Sequence, residues 1–457
     1  MLLFDADMKK TLQEQAKIAA EWIHSYAKQK RVRIISHYDA DGITAATIMA
    51  KAVKRLGYDF QVSLMRNPFT EGLKKVRKEH NDLIIFTDMG SGQLPFIEEM
   101  DSHCIIIDHH QLITEKTSDS ILQLNAYQFD INGNYEASGA SLSYAVAFAL
   151  DEQNRDLAVY AIAGATGDKQ YIDGFTGYNK TLIEEAVKQE IVNEKTSVKL
   201  NGETIHQALY YAIDPFYPGL SGRKDQILDF LEKININPKT PAQKISIEEQ
   251  KRLHSALMVL LLKQGCEPNI IDTVIRPRFY ADQTWGELEQ FADLLDCCGK
   301  GGHRDLGFAV CMGDSKAYEE ARSYEKEYKQ RLLDELLKLE QNGPKETETI
   351  RYFYTEKSSL GGVIGGIAVN YLFDREKPLF SIVKKPDELH VSCRGNKYLV
   401  SNGLDLGSAM ERIAKKLGGH GGGHQVAAGA TLPQDKEEEF IRLLDTIISE
   451  QITHKES

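Results

Sequence analysis

The chain has 457 residues, more than one hydrophobic core usually organises, so two or three domains are expected. Apolar and charged residues make up 42% and 27% of it, which is ordinary for a globular protein, and no apolar run reaches the roughly 18 residues of a transmembrane helix. The net charge of −12 argues against a protein that coats nucleic acid by bulk electrostatics, but it leaves room for a locally basic groove. The acidic N-terminus is unlike a signal peptide, so we expect a cytoplasmic protein that does not engage a membrane.

Short apolar segments alternate with amphipathic helical segments in the first part of the chain. We predict strands at about 32–35, 60–65, 82–87 and 103–107, and helices at about 8–29, 43–57 and 71–79. This alternation predicts an α/β fold with a doubly wound parallel sheet, because parallel strands need helical crossovers. The carboxyl ends of the strands then meet at one edge of the sheet, where ligands bind in open α/β folds.

Acids and imidazoles follow three of these strands, and a further acid ends the small-residue segment 157–168, which we predict to be a buried helix. Because parallel strands bring their ends together, we expect these side chains to converge. Taken alone, the Asp-x-Asp-Gly turn at 39–42 is equally compatible with a solvated turn. The other three segments favour a metal site, with the predicted ligands His37, Asp39, Asp41, Asp88, His109 and Asp168.

Four carboxylates and two imidazoles are too many ligands for one catalytic zinc ion. They suit two divalent cations about 3.5–4 Å apart that are bridged by a carboxylate and a hydroxide. The mixture of oxygen and nitrogen ligands favours Mn²⁺, with Mg²⁺ or Co²⁺ as substitutes. Two such ions promote in-line attack at phosphorus, so the predicted reaction is phosphate-ester hydrolysis.

The remainder of the chain is predicted to form an insertion, a linker and a second domain. Charged segments with helical spacing predict a mostly helical insertion at roughly 190–290 in a first domain of residues 1–314, and residues 291–303 are predicted to be a glycine-rich loop. One long polar helix at 315–344 would link this domain to a smaller α/β domain at 345–457.

At this point a family resemblance emerges from the motifs. His37-Tyr38-Asp39-Ala40-Asp41-Gly42, then Asp88, Asp108-His109-His110 and Gly167-Asp168, resemble the four motifs of the DHH phosphoesterase family and occur in the family's order. The run 422–429 resembles the glycine-rich signature of the associated C-terminal domain. The length and the helical insertion resemble the archaeal RecJ-like nucleases, including those that associate with the GINS replication complex.

The resemblance implies how the predicted ligands would be divided. His37 and Asp39 would hold one cation. Asp41, His109 and Asp168 would hold the other, and Asp88 would bridge the two cations. It also implies that Asp108 orients an imidazole and that His110 faces the scissile phosphate, as a hydrogen-bond donor or as a proton source. A satisfied buried histidine is the alternative for His110.

The resemblance further assigns phosphate binding to the C-terminal domain. Glycines let a backbone approach an anion closely, and an arginine can bind a phosphate through two parallel hydrogen bonds; a flexible loop is the alternative for the glycine run. The residues implied are Ser392, Arg394, Gly422, Gly423 and His424. Lys300 stands where relatives tend to have an arginine, and it would bind a phosphate as a point charge.

Three functions are compatible with this pattern. The first is a Mn²⁺- or Mg²⁺-dependent exonuclease that degrades single-stranded DNA or RNA to 5′-mononucleotides, in replication, repair or RNA processing. The second is a phosphodiesterase for short oligonucleotides or dinucleotides. The third is a replication-complex scaffold with residual nuclease activity, for which the helical insertion offers a docking surface to a GINS-like partner.

Overall fold

The structure is a computed structural model that describes residues 11–27, 31–66, 69–284, 286–356 and 358–453. The chain forms two compact units. One comprises Met1–Thr196 with Pro277–Lys326, and the other comprises Ser197–Arg276 with Glu327–Ser457. Among the described residues, no helix combines the length and the apolar character needed to cross a membrane.

The first unit is built on a five-stranded sheet whose strands are all parallel, in the order β2-β1-β3-β4-β5. The strands are β1 (Arg31–His37), β2 (Asp59–Met65), β3 (Leu83–Thr87), β4 (His103–Asp108) and β5 (Ile121–Asn125). The predicted α/β class and parallel sheet are therefore confirmed. The strand β5 was not predicted, because no acid or glycine marks its end in the sequence.

Helices cover both faces of this sheet. Side chains of α1, α2 and α5 pack with Ile34, Ile85 and Ile105 on one face, while those of α3 and α4 pack with Ile84 and Ile106 on the other. The helices are α1 (Leu12–Tyr26), α2 (Ala40–Arg55), α3 (Thr70–Arg77), α4 (Leu94–Ile97), α5 (Gly139–Leu150), α6 (Ala158–Gly167) and α7 (Gly177–Lys188). The ends of the helix predicted at 8–29 lie outside the described residues.

The segment predicted at roughly 190–290 as mostly helical contains four helices, and it also contains short strands near both ends that the sequence analysis does not include. Strands β6 (Asn193–Val198), β7 (Ile275–Ala281) and β8 (Gly286–Glu287) form a small sheet in the order β6-β7-β8. Four of the six β6 residues are exposed and polar, so its pairing across about 80 residues leaves no local signal. Between β6 and β7 lie α8 (Ile205–Tyr210), α9 (Lys224–Lys233), α10 (Ile247–Gln264) and α11 (Pro268–Ile271).

The predicted glycine-rich loop at 291–303 is instead mostly helix. The apolar side chains of Phe291, Leu294, Leu295 and Cys298 are buried in the core of the first unit, and this packing outweighs the low helix propensity of glycine. The helix ends at Gly302, whose φ of +96° lies in the left-handed region. The helices of this segment are α12 (Leu288–Gly301), α13 (Arg304–Cys311) and α14 (Ser315–Asn342), and the two units divide α14 at Lys326.

The second unit contains a six-stranded mixed sheet in the order β13-β14-β12-β11-β10-β9. Helices α17 and α18 pack with Phe380, Val391 and Cys393 on one face, while α15 lies on the other face. The strands are β9 (Lys345–Glu346), β10 (Arg351–Tyr354), β11 (Leu379–Lys384), β12 (Glu388–Arg394), β13 (His420–Gly423) and β14 (Ala427–Pro433). The helices are α15 (Ser358–Tyr371), α16 (Lys397–Ser401), α17 (Leu406–Lys416) and α18 (Glu437–Thr453).

Candidate active site

The first predicted ligands lie on the turn between β1 and α2, as the sequence indicates. His37 ends β1, and Asp39 is the N-cap of α2, where its Oδ1 accepts a hydrogen bond from the N–H of Gly42 at 3.1 Å. The hydroxyl of Ser36 donates to the carbonyl of Gly42 at 2.7 Å and ties the turn back to the strand. The turn thus holds its ligands on a hydrogen-bonded backbone.

Asp41 is buried and is held by the N-terminus of α5. Its carboxylate oxygens accept hydrogen bonds from the N–H groups of Gly139 at 2.6 Å and Ala140 at 3.0 Å. The side chain of Ser138, the N-cap of this helix, accepts from the N–H of Ser141. A Cβ on Gly139 would lie 2.5 Å from the Cβ of Asp88, so only glycine lets α5 approach both acids.

Asp88 lies between the two predicted groups of ligands. Its Oδ1 is 3.1 Å from Nε2 of His109, and its Oδ2 is 3.5 Å from Nδ1 of His37. Asp88 follows β3 with a φ of +54°, a left-handed conformation that aspartate tolerates better than most residues. With this backbone conformation, the carboxylate of Asp88 lies between the imidazoles of His37 and His109.

The tautomer of His109 follows from its hydrogen bond. Its Nδ1 lies 2.6 Å from the carbonyl oxygen of Gly133, which can only accept, so Nδ1 carries the proton. Nε2 then faces the acids, 3.5 Å from Asp168 and 3.8 Å from Asp41. Asp168 directly follows α6, as predicted for that buried helix.

The six predicted ligands therefore converge into two adjacent groups. Within each group, one donor atom per residue lies within 4.8 Å of the others. One group is His37, Asp39 and Asp88, and the other is Asp41, His109 and Asp168. Asp88 with His109 and His110 forms a third, overlapping combination.

The close spacing of acids in this site shifts the pKa values of its side chains. Burial and the charge of Asp88 raise the pKa of Asp41 to about 7. Burial and the charge of Asp41 raise the pKa of Asp168 well above its ordinary value. Burial alone would lower the pKa of both His37 and His109, but neighbouring carboxylates raise each well above its ordinary value. The site thus holds protons that a bound cation would displace.

The donor set fits divalent metal. Within the described residues, Nδ1 of His37 is a buried nitrogen that makes no hydrogen bond, and it lies 2.8 Å from Oδ2 of Asp39 and 3.5 Å from Oδ2 of Asp88. Nε2 of His109 faces the acids, 3.1 Å from Oδ1 of Asp88, and would offer its lone pair to a cation once its proton is displaced. Carboxylate oxygens together with neutral imidazole nitrogens are the donors expected for Mn²⁺, and carboxylates alone would suit Mg²⁺.

Asp108 orients His110, beside the predicted ligands. Oδ1 of Asp108 is 2.8 Å from Nδ1 of His110, and the same carboxylate accepts hydrogen bonds from the backbone N–H groups of Ser91, His109 and His110. Although burial opposes it, the nearby imidazoles lower the pKa of Asp108, and the charge of Asp108 raises that of His110. His110 is 40% exposed, which argues against a purely structural buried histidine.

Lys300 lies near the first turn, on α12 rather than on a loop. Its ammonium group contacts the carboxylate of Asp296, which accepts a hydrogen bond from the N–H of Ala40 at 2.9 Å. Burial would raise the pKa of Asp39, but His37 foremost, with help from Lys300, lowers it. Asp296 was not among the predicted site residues, and its i, i+4 spacing from Lys300 was the available signal.

In the second unit, Ser392 and Arg394 share the face of β12 that α15 covers. The Nη1 of Arg394 donates to the carbonyl of Cys393 at 2.8 Å, and a Cβ on Gly362 would lie 2.8 Å from Nη2 of Arg394. Ser392 is paired with Gly429, which is paired in turn with Gly422. A row of small residues therefore leads from Ser392 across the sheet to the edge strand.

Part of the glycine run forms an edge strand of the second unit's sheet. Gly422 and Gly423 belong to β13, with φ angles of +156° and +145° that favour glycine. His424 begins the exposed turn to β14, where its N–H donates to the carbonyl of Ala427 at 2.8 Å. The register pairs Arg394 with Ala427, so the backbones of Arg394 and this turn are neighbours.

The protein is thus an α/β protein with a parallel sheet, and the edge of that sheet carries two acid–imidazole groups around a shared aspartate that could hold metal. The family model described as "DHH family, N-terminal domain" matches residues 31–166, the DHH-CID domain matches residues 201–275, and the DHHA1 domain matches residues 349–450. An uncharacterized protein of Methanocaldococcus jannaschii is 31% identical over 428 residues, which cover 92% of this chain and 94% of that protein. The chain belongs to the DHH family.

Several solved structures are similar in fold to this chain. CDC45 from Entamoeba histolytica has a TM-score of 0.68 at 12% identity, over 96% of this chain and 99% of that one. RecJ from Thermus thermophilus, solved in complex with Mn²⁺, has a TM-score of 0.59 at 15% identity, over 96% of this chain. The chain spans 55% of the length of that RecJ chain. At these identities the likeness concerns the fold, which is RecJ-like.

Proposed function

We propose that this protein is a metal-dependent exonuclease that degrades single-stranded DNA or RNA to 5′-mononucleotides with two divalent cations. The observation that carries the proposal is the pair of adjacent donor groups with Asp88 between them. An aspartate shared by both donor groups suits a closely spaced pair of cations better than two cations in independent sites. Mn²⁺ is the proposed ion in both positions.

In this proposal the residues have distinct tasks. His37 and Asp39 would hold one cation, Asp41, His109 and Asp168 would hold the other, and Asp88 would serve both. When bound, the cations supply a hydroxide nucleophile and neutralise charge on the phosphoryl group. Oδ1 of Asp108 accepts from the Nδ1–H of His110, and, although burial opposes it, the charge of Asp108 raises the pKa of His110 and so favours the protonated ring. The Nε2–H of that imidazolium would donate a hydrogen bond or a proton to the scissile phosphate or its leaving oxygen.

The phosphate-binding residues are proposed in the second unit and on α12. Arg394 offers a planar fork to a phosphate, Ser392 a hydroxyl, and His424 an imidazole at an exposed turn. Gly422 and Gly423 leave the edge of the sheet open to a substrate backbone. Lys300 supplies a positive charge near Asp39.

The proposal is tested with end-labelled DNA and RNA strands of two to forty nucleotides and added Mn²⁺. We expect Mn²⁺-dependent release of 5′-mononucleotides, a higher rate on long strands than on dimers, and no release when Mn²⁺ is chelated. Product ladders from each labelled end assign the polarity. A preference for dimers over pentamers would favour the short-oligonucleotide phosphodiesterase instead, and no release from any strand would refute both.

A replication-complex scaffold is the second candidate function, and the fold likeness to CDC45 over nearly its whole length favours it. The residues 201–275 would then offer the surface for a GINS-like partner. A pull-down that succeeds with the full chain and fails after exposed charges of α10 are reversed would support this role. The same variant should keep its nuclease rate, because α10 carries no proposed ligand.

Replacing Arg394 by lysine is expected to weaken substrate binding more than chemistry. Lysine keeps the positive charge but loses the planar fork, so we expect KM for single strands to rise about tenfold with kcat changed less than threefold. Arg412→Lys, on an exposed position of α17, is the matched control and should leave KM unchanged. An unchanged KM in Arg394→Lys would remove this residue from the binding site.

A further inference from the structure

Helix α12 carries an ion pair that lies against the turn between β1 and α2. Asp296 and Lys300 are one helical turn apart, and their charged groups are in contact. Oδ1 of Asp296 accepts a hydrogen bond from the N–H of Ala40 at 2.9 Å, across 256 residues of sequence. Ala40 stands between two of the proposed metal ligands, Asp39 and Asp41.

The backbone of α12 also touches this turn directly. A Cβ on Gly299 would lie 1.9 Å from the carbonyl oxygen of Tyr38 and 3.4 Å from the Cα of Asp39. Any side chain at this position would push the helix away from the turn. The glycine therefore lets α12 hold the turn by close backbone contact, while Asp296 adds a specific hydrogen bond.

We propose that Asp296 is a positioning residue for the metal-binding turn and that Lys300 is the counter-charge that holds it there. The proposal rests on the proposed function, since the turn binds metal only in that proposal. The N–H of Ala40 is one of the first four of α2, which have no acceptor inside the helix. Asp39 accepts the N–H of Gly42 and Asp296 accepts that of Ala40, so the turn is fixed before a cation binds.

Electrostatics explain why the carboxylate of Asp296 is paired with the ammonium group of Lys300. A carboxylate near a helix N-terminus is favourable, but a fifth acid beside Asp39, Asp41, Asp88 and Asp168 adds repulsion. Lys300 compensates that charge from the same face of α12. A neutral acceptor would avoid the repulsion, but it would hold the N–H less strongly than a carboxylate does.

Two double variants of equal net charge isolate the hydrogen bond. In Asp296→Asn with Lys300→Met, the amide oxygen can still accept from Ala40, while in Asp296→Ala with Lys300→Met no acceptor remains. Both lose the ion pair and both keep the wild-type net charge. In the metal-free full chain, we expect the peptide spanning 38–43 to exchange amide hydrogens about tenfold faster in the alanine variant than in the asparagine variant.

The second measurement is direct Mn²⁺ binding. The spin-resonance signal of the free ion reports how much Mn²⁺ remains unbound. We expect binding about tenfold weaker in the alanine variant, and binding within threefold of wild type in the asparagine variant. Equal exchange or equal Mn²⁺ affinity in the two variants would overturn the positioning role, and a wild-type chain that binds no Mn²⁺ would overturn both proposals. A chain that binds Mn²⁺ with this difference but cleaves no single strand supports the positioning role and overturns the exonuclease.

Discussion

Replacing Asp88 by asparagine is expected to lower the rate of single-strand cleavage by about three orders of magnitude or more. The carboxylate of Asp88 lies 3.1 Å from Nε2 of His109 and 3.5 Å from Nδ1 of His37, so its loss affects both donor groups at once. An amide has one oxygen and no charge, and it cannot bridge two cations. Asparagine keeps the volume of the side chain and tolerates the left-handed backbone at this position, so the fold should persist.

Two controls separate a bridging role from a general loss of structure. Asp119→Asn makes the same chemical change at an exposed position and should keep the wild-type rate. Asp88→Ala adds backbone strain, so it should be less stable than Asp88→Asn but no less inactive. Circular dichroism and thermal melts of all three variants check folding. If Asp88→Asn retained more than a tenth of the wild-type rate in Mn²⁺, the bridging role would be wrong.

The proposed ligands could be identified from sequence because each follows an apolar segment that ends at one sheet edge. The approach of α5 to Asp41 could not be foreseen in the same way. Gly139 and Ala140 donate to a carboxylate about 98 residues earlier, and their sequence shows only an N-cap at Ser138. Such backbone contacts depend on packing between distant elements, which no local pattern records.

In helix α12, a local pattern was present but predicted the wrong structure. Its glycines predict a loop, yet they serve close approaches within a packed helix. A Cβ on Gly299 would meet the carbonyl of Tyr38, and one on Gly301 would lie 1.9 Å from the hydroxyl of Tyr324. A glycine in a sequence can indicate a flexible backbone or a position where another backbone packs too closely for a side chain, and only the tertiary structure distinguishes the two. Asp296 escaped notice for the same reason, since its importance depends on where α12 packs.

The stability of the metal-free protein is expected to fall as the pH rises from 5 to 9. The pKa of Asp41 is raised to about 7, so its folded state binds a proton that the unfolded chain has already lost, and stability declines between about pH 4 and 7. His37 and His109 also have raised pKa values. Their contribution is complete below the ordinary histidine pKa of about 6.5 and is lost as the pH rises through the folded values. Acids and imidazoles therefore act in the same direction.

Saturating Mn²⁺ should reverse this trend, because the cations take the place of the displaced protons. We expect Mn²⁺ to raise Tm by about 5–10 °C at pH 8 and by clearly less at pH 6, where protons compete. In Asp168→Asn, one source of repulsion is gone, so the metal-free variant should be more stable than wild type at pH 8, and its Mn²⁺ shift should be smaller. Thermal melts of both proteins across this pH range, with chelator or with Mn²⁺, provide the measurement. A Mn²⁺ shift that is equal at pH 6 and pH 8 would mean that the cation does not displace these protons, and that the metal binds elsewhere.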